Sequence, residues 1–267
     1  MTTTESRPAN PGRHPGLAGR PGRRPRFNSA YLFIAPSVIL IAVFIAEPIL
    51  QTGWMSLHDW TIGEATHKFV GLANYTALYH DSRFWNALRV TVVYTVFVSL
   101  GQVLLGLAVA SRLRKTTWYS SLLRTAYFFP FIASLIVVGI WKNAGFAMIV
   151  LLAGMQQVPA FLYEAATIDG AGAWKRFRHV TLPALRPALL FTTLIATITG
   201  LQLFDLVYAM TGGGPIFHTE SVVMYLYEKG FVEFQMGYAS AISWVLFVII
   251  LAISAVQLRV SRYRDVD

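Results

Sequence analysis

The chain has 267 residues, of which 55% are hydrophobic and only 13% charged, with no cysteine and a formal net charge of +9. Soluble domains carry about 25% charged residues, so this composition suits a solvent that is mostly lipid, and the missing cysteines exclude disulfides, thiolate catalysis and thiolate metal sites. The positive charge does not mark a nucleic-acid face, because the basic residues sit between apolar runs rather than along one polar surface.

Taken in chain order, residues 1–28 hold six arginines (7, 13, 20, 23, 24 and 26), five prolines and one acid. Such a segment reads as a disordered basic tail. It is expected to help hold the N-terminus in the cytoplasm by the positive-inside rule, with contact to lipid headgroups or nucleic acid as alternatives. It does not read as a cleavable signal peptide. The apolar run that follows, Tyr31–Ile49, exceeds the usual h-region of about 7–15 residues and lacks a small-residue cleavage site.

A membrane-spanning helix needs about 20 apolar residues. Tyr31–Ile49, closing at Glu47-Pro48, meets this condition. So do Val90–Ala110, Ala188–Met210 with one acid at Asp205, and Tyr238–Leu258. Ala126–Met155 is apolar but interrupted by Trp141-Lys142-Asn143, which predicts a break into Ala126–Ile140 and Ala144–Met155. The reading is therefore an all-α bundle of about six spans over residues 29–260, with a short C-terminal tail over 261–267.

Loop charges select the topology. With the N-terminus inside and two crossings within Ala126–Met155, the inside segments are the tail, Ser111–Thr125, Gln156–Pro187 and the C-terminus. They hold 17 of the 22 lysines and arginines. With a single crossing, the last two segments would lie outside with seven basic residues. Length argues the other way, since 15 residues of helix reach only about 22 Å against a hydrocarbon core of about 30 Å.

The segment Val158–Pro187 reads as a helix, a turn and a second helix. Pro159 suits the start of a helix, Ala160–Ile168 are mostly good helix formers, and Asp169-Gly170 is a stop signal in which glycine takes the left-handed conformation. Ala173–His179 is a short amphipathic piece whose Lys175, Arg176 and Arg178 flank Trp174 and Phe177. Pro183 and Pro187 open the next span. Small residues keep the surface low enough for another protein to approach, although an interfacial helix lying on the membrane has the same composition.

This segment resembles the cytoplasmic EAA loop of ABC-importer permeases: Glu164-Ala165-Ala166, three residues, Gly170, nine residues, Val180 where the pattern has Ile, one residue, then Leu182-Pro183. Met210–Pro215, Met236–Ile242 and Arg83–Leu88 add a likeness to the carbohydrate branch, the maltose and glycerol-phosphate type. The resemblance implies an inner-membrane permease with both termini cytoplasmic. It implies three kinds of partner beside membrane lipid, and no nucleic acid: a second permease of similar fold, a cytoplasmic ATPase dimer and an extracytoplasmic solute-binding protein. ATP and Mg would be bound by the ATPase, so the chain itself needs no cofactor and performs no covalent chemistry. Glu164, Ala165, Ala166, Asp169, Gly170, Leu182 and Pro183 are the residues it assigns to ATPase docking. Family members usually carry some tens of further residues between the stretches that here meet at Ile140-Trp141. The join reads as an internal deletion, which leaves an assembled but inactive subunit, or a permease for a non-sugar solute, as alternatives.

Three polar residues in the fifth apolar run are candidates for a substrate pathway. Gln202, Asp205 and Tyr208 are spaced to share one helix face, and their side chains suit hydrogen bonding and stacking with a sugar. Asp205 could equally be the partner of a neighbouring helix. Gly212-Gly-Gly-Pro215 lacks the lysine of a phosphate loop and reads as an outside turn that could meet a solute-binding protein. Arg89 and Glu47 read as markers of the membrane interface. The six histidines show no ligand spacing, so no metal is expected.

Overall fold

The computed structural model describes residues 29–64, 66–112 and 135–263. The expected tail over 1–28, most of the loop Ser111–Thr125, the start of Ala126–Ile140 and residues 264–267 lie outside the described residues. The chain divides into two compact units at Pro48/Ile49.

In the first unit, helix α1 (Ser29–Ile41) passes through a wide π-helical turn at Ala42–Ala46 and enters α2 (Glu47–Ser56). Its described side chains point outward, with Phe44 71% exposed, as expected of a helix that is apolar all round. The predicted stop at Glu47-Pro48 is corrected. Glu47 N–H already bonds back to Ala42 O, and Pro48 falls in the first turn of α2, where a missing N–H is tolerated. Ile34–Ser56 is thus a 23-residue candidate span.

The second unit continues through a short antiparallel ribbon, β1 (His58–Asp59) with β2 (Lys68–Phe69), and α3 (Ala73–His80). Two long helices follow, α4 (Ser82–Arg112) and α5 (Leu135–Gln156). The chain then forms α6 (Ala160–Ile168), α7 (Ala173–Arg176), a π-helical turn at Phe177–Thr181, α8 (Leu182–Ala184) and α9 (Arg186–Leu201). It ends with α10 (Asp205–Met210), α11 (Val222–Tyr227), another π-helical turn at Glu228–Val232 and α12 (Met236–Tyr263).

The predicted break at Trp141-Lys142-Asn143 does not occur. No proline interrupts the stretch, Asn143 Nδ2 bonds to Gly139 O within the helix at 2.8 Å, and the Lys142 ammonium is paired with Asp205. α5 therefore runs unbroken for 22 residues, about 33 Å and enough for one crossing alone. The described residues contain four helices long and apolar enough to cross a membrane, and a fifth if Ala173–Ala184 and Arg186–Leu201, bent by 69°, count as one span. The expected span that begins at Ala126 falls largely on residues outside those described.

α4 and α5 pack in parallel. Tyr94 and Val98 meet Gly139, Gly101 meets Ile140, and Gly106 meets Ala147 and Met148. A Cβ on Gly106 would stand 2.8 Å from that of Ala147, so the bare backbone sets this close approach, as small residues do between membrane helices. Arg112 and Leu135, the ends between which the chain must pass, consequently lie towards opposite ends of the pair. α9 runs back against both, from Leu185 beside Met155 to Gly200 beside Thr95. α12 starts in the cluster of Leu78, Phe84, Val222, Tyr225 and Ile242. Further along, Gln257 Nε2 donates to Thr197 Oγ1 at 2.9 Å, and Val256 and Val260 lie beside Arg186 and Leu189.

The second unit thus has two unlike ends. The Met155 end gathers the close of α4, the segment 158–185 and the last turns of α12. The Phe84 end gathers Asp81, Arg83, Glu220, Glu228 and Tyr238.

Candidate functional site

At the Met155 end the predicted helix–turn–helix forms with the expected bounds. α6 covers Ala160–Ile168, and its end is closed by Asp169 N–H to Ala165 O at 3.0 Å and Ala171 N–H to Ala166 O at 2.9 Å. Gly170 stands between at φ +72°, the left-handed position where a Cβ is costly. Gly172, with extended backbone, opens α7. The turn is tied to its own second limb, since Tyr163 Oη meets Thr181 Oγ1 at 3.0 Å and Arg176 Nη1 donates to Thr167 Oγ1 at 3.0 Å. Leu185, fully buried among Leu151, Met155 and Ala110, anchors that limb to the bundle.

The outer face of the segment has no such partners. Glu164, Ala165, Asp169 and Gly170 are exposed, and Ile168 is 87% and Trp174 69% exposed. The Glu164 and Asp169 carboxylates make no hydrogen bond or ion pair among the described residues. Leu182 is half-buried and Pro183 exposed where the chain re-enters the bundle. A cavity of about 840 Å³ lies behind the turn, lined by Leu104, Leu107, Met155, Tyr163, Trp174 and Phe177. The turn thus combines acids without a partner among the described residues, exposed apolar side chains and a root anchored in the bundle.

Near the Phe84 end, the predicted pathway residues are only partly brought together. Ala188–Met210 is not one helix. α9 ends at Leu201, Gln202 caps it, and Phe204 leaves the helical region before α10 begins at Asp205. Asp205 and Tyr208 share α10, whereas Gln202 stands off it, so the shared face is corrected to two residues. The interruption is stable because Ser221 Oγ donates to Leu203 O at 2.5 Å and Leu203 itself is buried. Irregular backbone at membrane depth needs such satisfaction inside the protein. Asp205 pairs with Lys142 of α5, which is the inter-helix role left open by the sequence.

Sequence reasoning missed the polar network at this end. Arg83 forms a two-pronged pair with Glu220, at 2.9 Å from Nε and 2.7 Å from Nη2, and a second bond to Glu228. Its guanidinium lies 3.7 Å from the centre of the Phe217 ring. Burial, with the nearby Glu228 carboxylate, holds the Glu220 carboxyl above its ordinary value against the opposing pull of Arg83. Asp81 accepts from Tyr225 and, at 2.6 Å, from Tyr238. Burial pushes the Asp81 carboxyl up, but these phenols and the amides of Phe84 and Arg83 outweigh it and hold the group below the ordinary carboxylate value. The only sequence signal was the Arg83–Leu88 likeness, which carried no partner for Arg83.

Residues 72–264 match the family of binding-protein-dependent transport system inner membrane components. The chain belongs to this family. It is 31% identical to the sulfoquinovosyl glycerol transport system permease protein SmoG of Agrobacterium fabrum, over 88% of this chain and 91% of that protein. It is also 31% identical to the trehalose/maltose transport system permease protein MalF of Thermococcus litoralis, over 88% and 94%. A chain of a bacterial alginate ABC transporter, solved in complex with alginate pentasaccharide-bound periplasmic protein, superposes with a TM-score of 0.70 at 19% identity, over 88% of this chain and 94% of that one. Members are multi-pass membrane components of transport systems and not enzymes. The match to SmoG spans 280 positions, whereas 88% of 267 residues is about 235, so about 45 positions of that relative face no residue here. That shortfall has the size implied by the join at Ile140-Trp141.

Proposed function

We propose that the chain is a permease subunit of an ATP-driven carbohydrate importer and that Val158–Pro187 couples it to a cytoplasmic ATPase dimer. The observation that carries the reading is the turn itself: Gly170 at φ +72° holds unpartnered Glu164 and Asp169 beside exposed Ile168 and Trp174. The resemblance of its spacing to the EAA loop supplies the partner. Glu164 and Asp169 bond the ATPase, the small Ala165 and Ala166 let its surface close in, and Leu182-Pro183 returns the motion to α9. Closure of the ATPase on ATP and Mg then tilts the membrane helices. A second permease subunit completes the pathway, an extracytoplasmic solute-binding protein delivers the sugar, and Asp205 and Tyr208 with Gln202 line the route. The protein lies in the bacterial inner membrane with both termini cytoplasmic. Carbohydrate as the solute is supported by the relatives, whose names specify a sulfoquinovosyl glycerol, trehalose and maltose.

The test is capture of the ATPase subunit encoded with this chain. In detergent extracts, the wild type retains the ATPase and Glu164→Ala loses it by about tenfold, while Glu164→Ala still reaches the membrane. Equal retention by both would reject the docking assignment.

A second reading, an assembled but transport-inactive subunit, is favoured by the 45-position shortfall and the unbroken α5. The two readings differ in substrate-stimulated ATP hydrolysis of the reconstituted complex, present in an active transporter and absent in an inactive one.

A further inference from the structure

A cavity of about 680 Å³ opens between α4, α10 and the loop after α10, within the range of about 300–1,000 Å³ of small-ligand sites. Its polar lining comprises Asn86, Arg89, Tyr94, Thr211, His218 and Thr219. Arg89 lies seven residues inside the candidate span that begins at Ser82, about 10 Å along the helix. Its side chain is exposed and lines the cavity. Three other cations of this end are paired, Arg83 with Glu220 and Glu228, Lys142 with Asp205 and Lys229 with Glu233. Arg89 makes no hydrogen bond or ion pair among the described residues. Beside it Tyr94 is 6% exposed, and its hydroxyl has no hydrogen bond either. A buried phenol and an unpaired guanidinium on one wall are both in want of an oxygen-bearing ligand.

We propose that this cavity binds an acidic saccharide, with Arg89 holding its carboxylate, sulfonate or phosphate group. A guanidinium takes such groups in a two-pronged geometry. Tyr94, Thr211 and Thr219 supply hydroxyls for the sugar. Asn86 Nδ2 donates to Phe217 O at 2.9 Å, which leaves its side-chain oxygen as an acceptor. The proposal rests on the permease reading and refines its substrate class.

The absence of cysteine makes the site directly testable. His218→Cys is introduced into the assembled transporter in nanodiscs of zwitterionic lipid. Its labelling is followed with an anionic and a cationic methanethiosulfonate, with digalacturonate or neutral digalactose as protectant. The anionic reagent should react faster by about tenfold, the scale of electrostatic focusing in a charged cleft. Digalacturonate should slow labelling and digalactose should not. Arg89→Gln should abolish both effects and Arg89→Lys retain them in part. Equal protection by the two disaccharides, or no change in Arg89→Gln, overturns the proposal. Loss of digalacturonate protection in anionic-lipid nanodiscs assigns Arg89 to a lipid headgroup and also overturns it. ATPase capture by the same complex is read in parallel. With capture intact, an indifferent cavity removes the acidic-saccharide inference alone, whereas failed capture removes the permease reading beneath it.

Discussion

Gly170 and Arg83 show two ways in which single residues matter here. At φ +72° an added Cβ costs about 1–2 kcal/mol, and the strain falls on the turn that presents Glu164 and Asp169. Gly170→Ala should therefore weaken ATPase capture several-fold while leaving the thermal stability of the permease nearly unchanged, as read by paired pull-down and melting curves. Arg83 instead acts through burial, because Glu220 is 1% exposed. Removing one partner of a buried pair costs about 3–5 kcal/mol, since the other charge is stranded. Arg83→Ala should lower the melting temperature in detergent markedly, and Arg83→Ala with Glu220→Gln should recover part of the loss. Asp81 adds a pH dependence. Its carboxyl is held below its ordinary value, so its contribution is fully present above the unfolded pKa and is lost as pH falls through the folded one. Wild type should lose stability more steeply than Asp81→Asn across the acid side of the ordinary carboxylate range, measured by melting at a series of pH values. Gly170 was legible from Asp169-Gly170 alone because a helix stop is local chemistry. The Arg83–Glu220 pair was not, because its partners are 137 residues apart and no local pattern links them.

At the scale of elements, the same contrast separates α6 from α5. The bounds of α6 followed from Pro159, the helix formers and Asp169-Gly170. α5 was misread because Trp141-Lys142-Asn143 looked too polar for membrane depth, and the residue that neutralises Lys142 lies 63 positions away on α10. Likewise Ala188–Met210 read as one span because nothing local announces that Ser221 will take the Leu203 carbonyl. If the Lys142–Asp205 pair joins α5 to α10, Lys142→Ala alone should destabilise the protein more than Lys142→Ala with Asp205→Asn. Equal losses in the two variants, read as melting temperature in lipid nanodiscs, would show that the charges act separately. The contact of α4 with α5 makes a steric prediction of its own. Gly106→Leu would drive a side chain into Ala147 and Met148, and should cut the yield of folded protein far more than Gly145→Leu, where nothing stands within 4 Å.

At the scale of the second unit, the parallel packing of α4 and α5 brings together segments that the charge count could only group by sign. Their C-terminal ends lie together, so the close of α4, the turn after α5 and the last turns of α12 gather at one end. Among the described basic residues, Lys175, Arg176, Arg178, Arg186 and Arg259 lie towards that same end. Asp81, Glu220 and Glu228 occupy the other. An orientation in which the turn faces the cytoplasm agrees with the positive-inside rule. The all-α class and the helix–turn–helix of Val158–Pro187 were readable from the sequence, while the direction of each helix required knowing which helices touch.

The account stands or falls on which side of the membrane that turn faces. A single cysteine at Ala173, exposed beside Gly172 at the head of α7, can be challenged in intact cells with a membrane-impermeant thiol reagent and again after permeabilisation. Labelling only after permeabilisation is the predicted result, placing the turn where a cytoplasmic ATPase can seize it. Labelling of intact cells would put it outside, beyond the reach of any ATPase, and would contradict the proposed function.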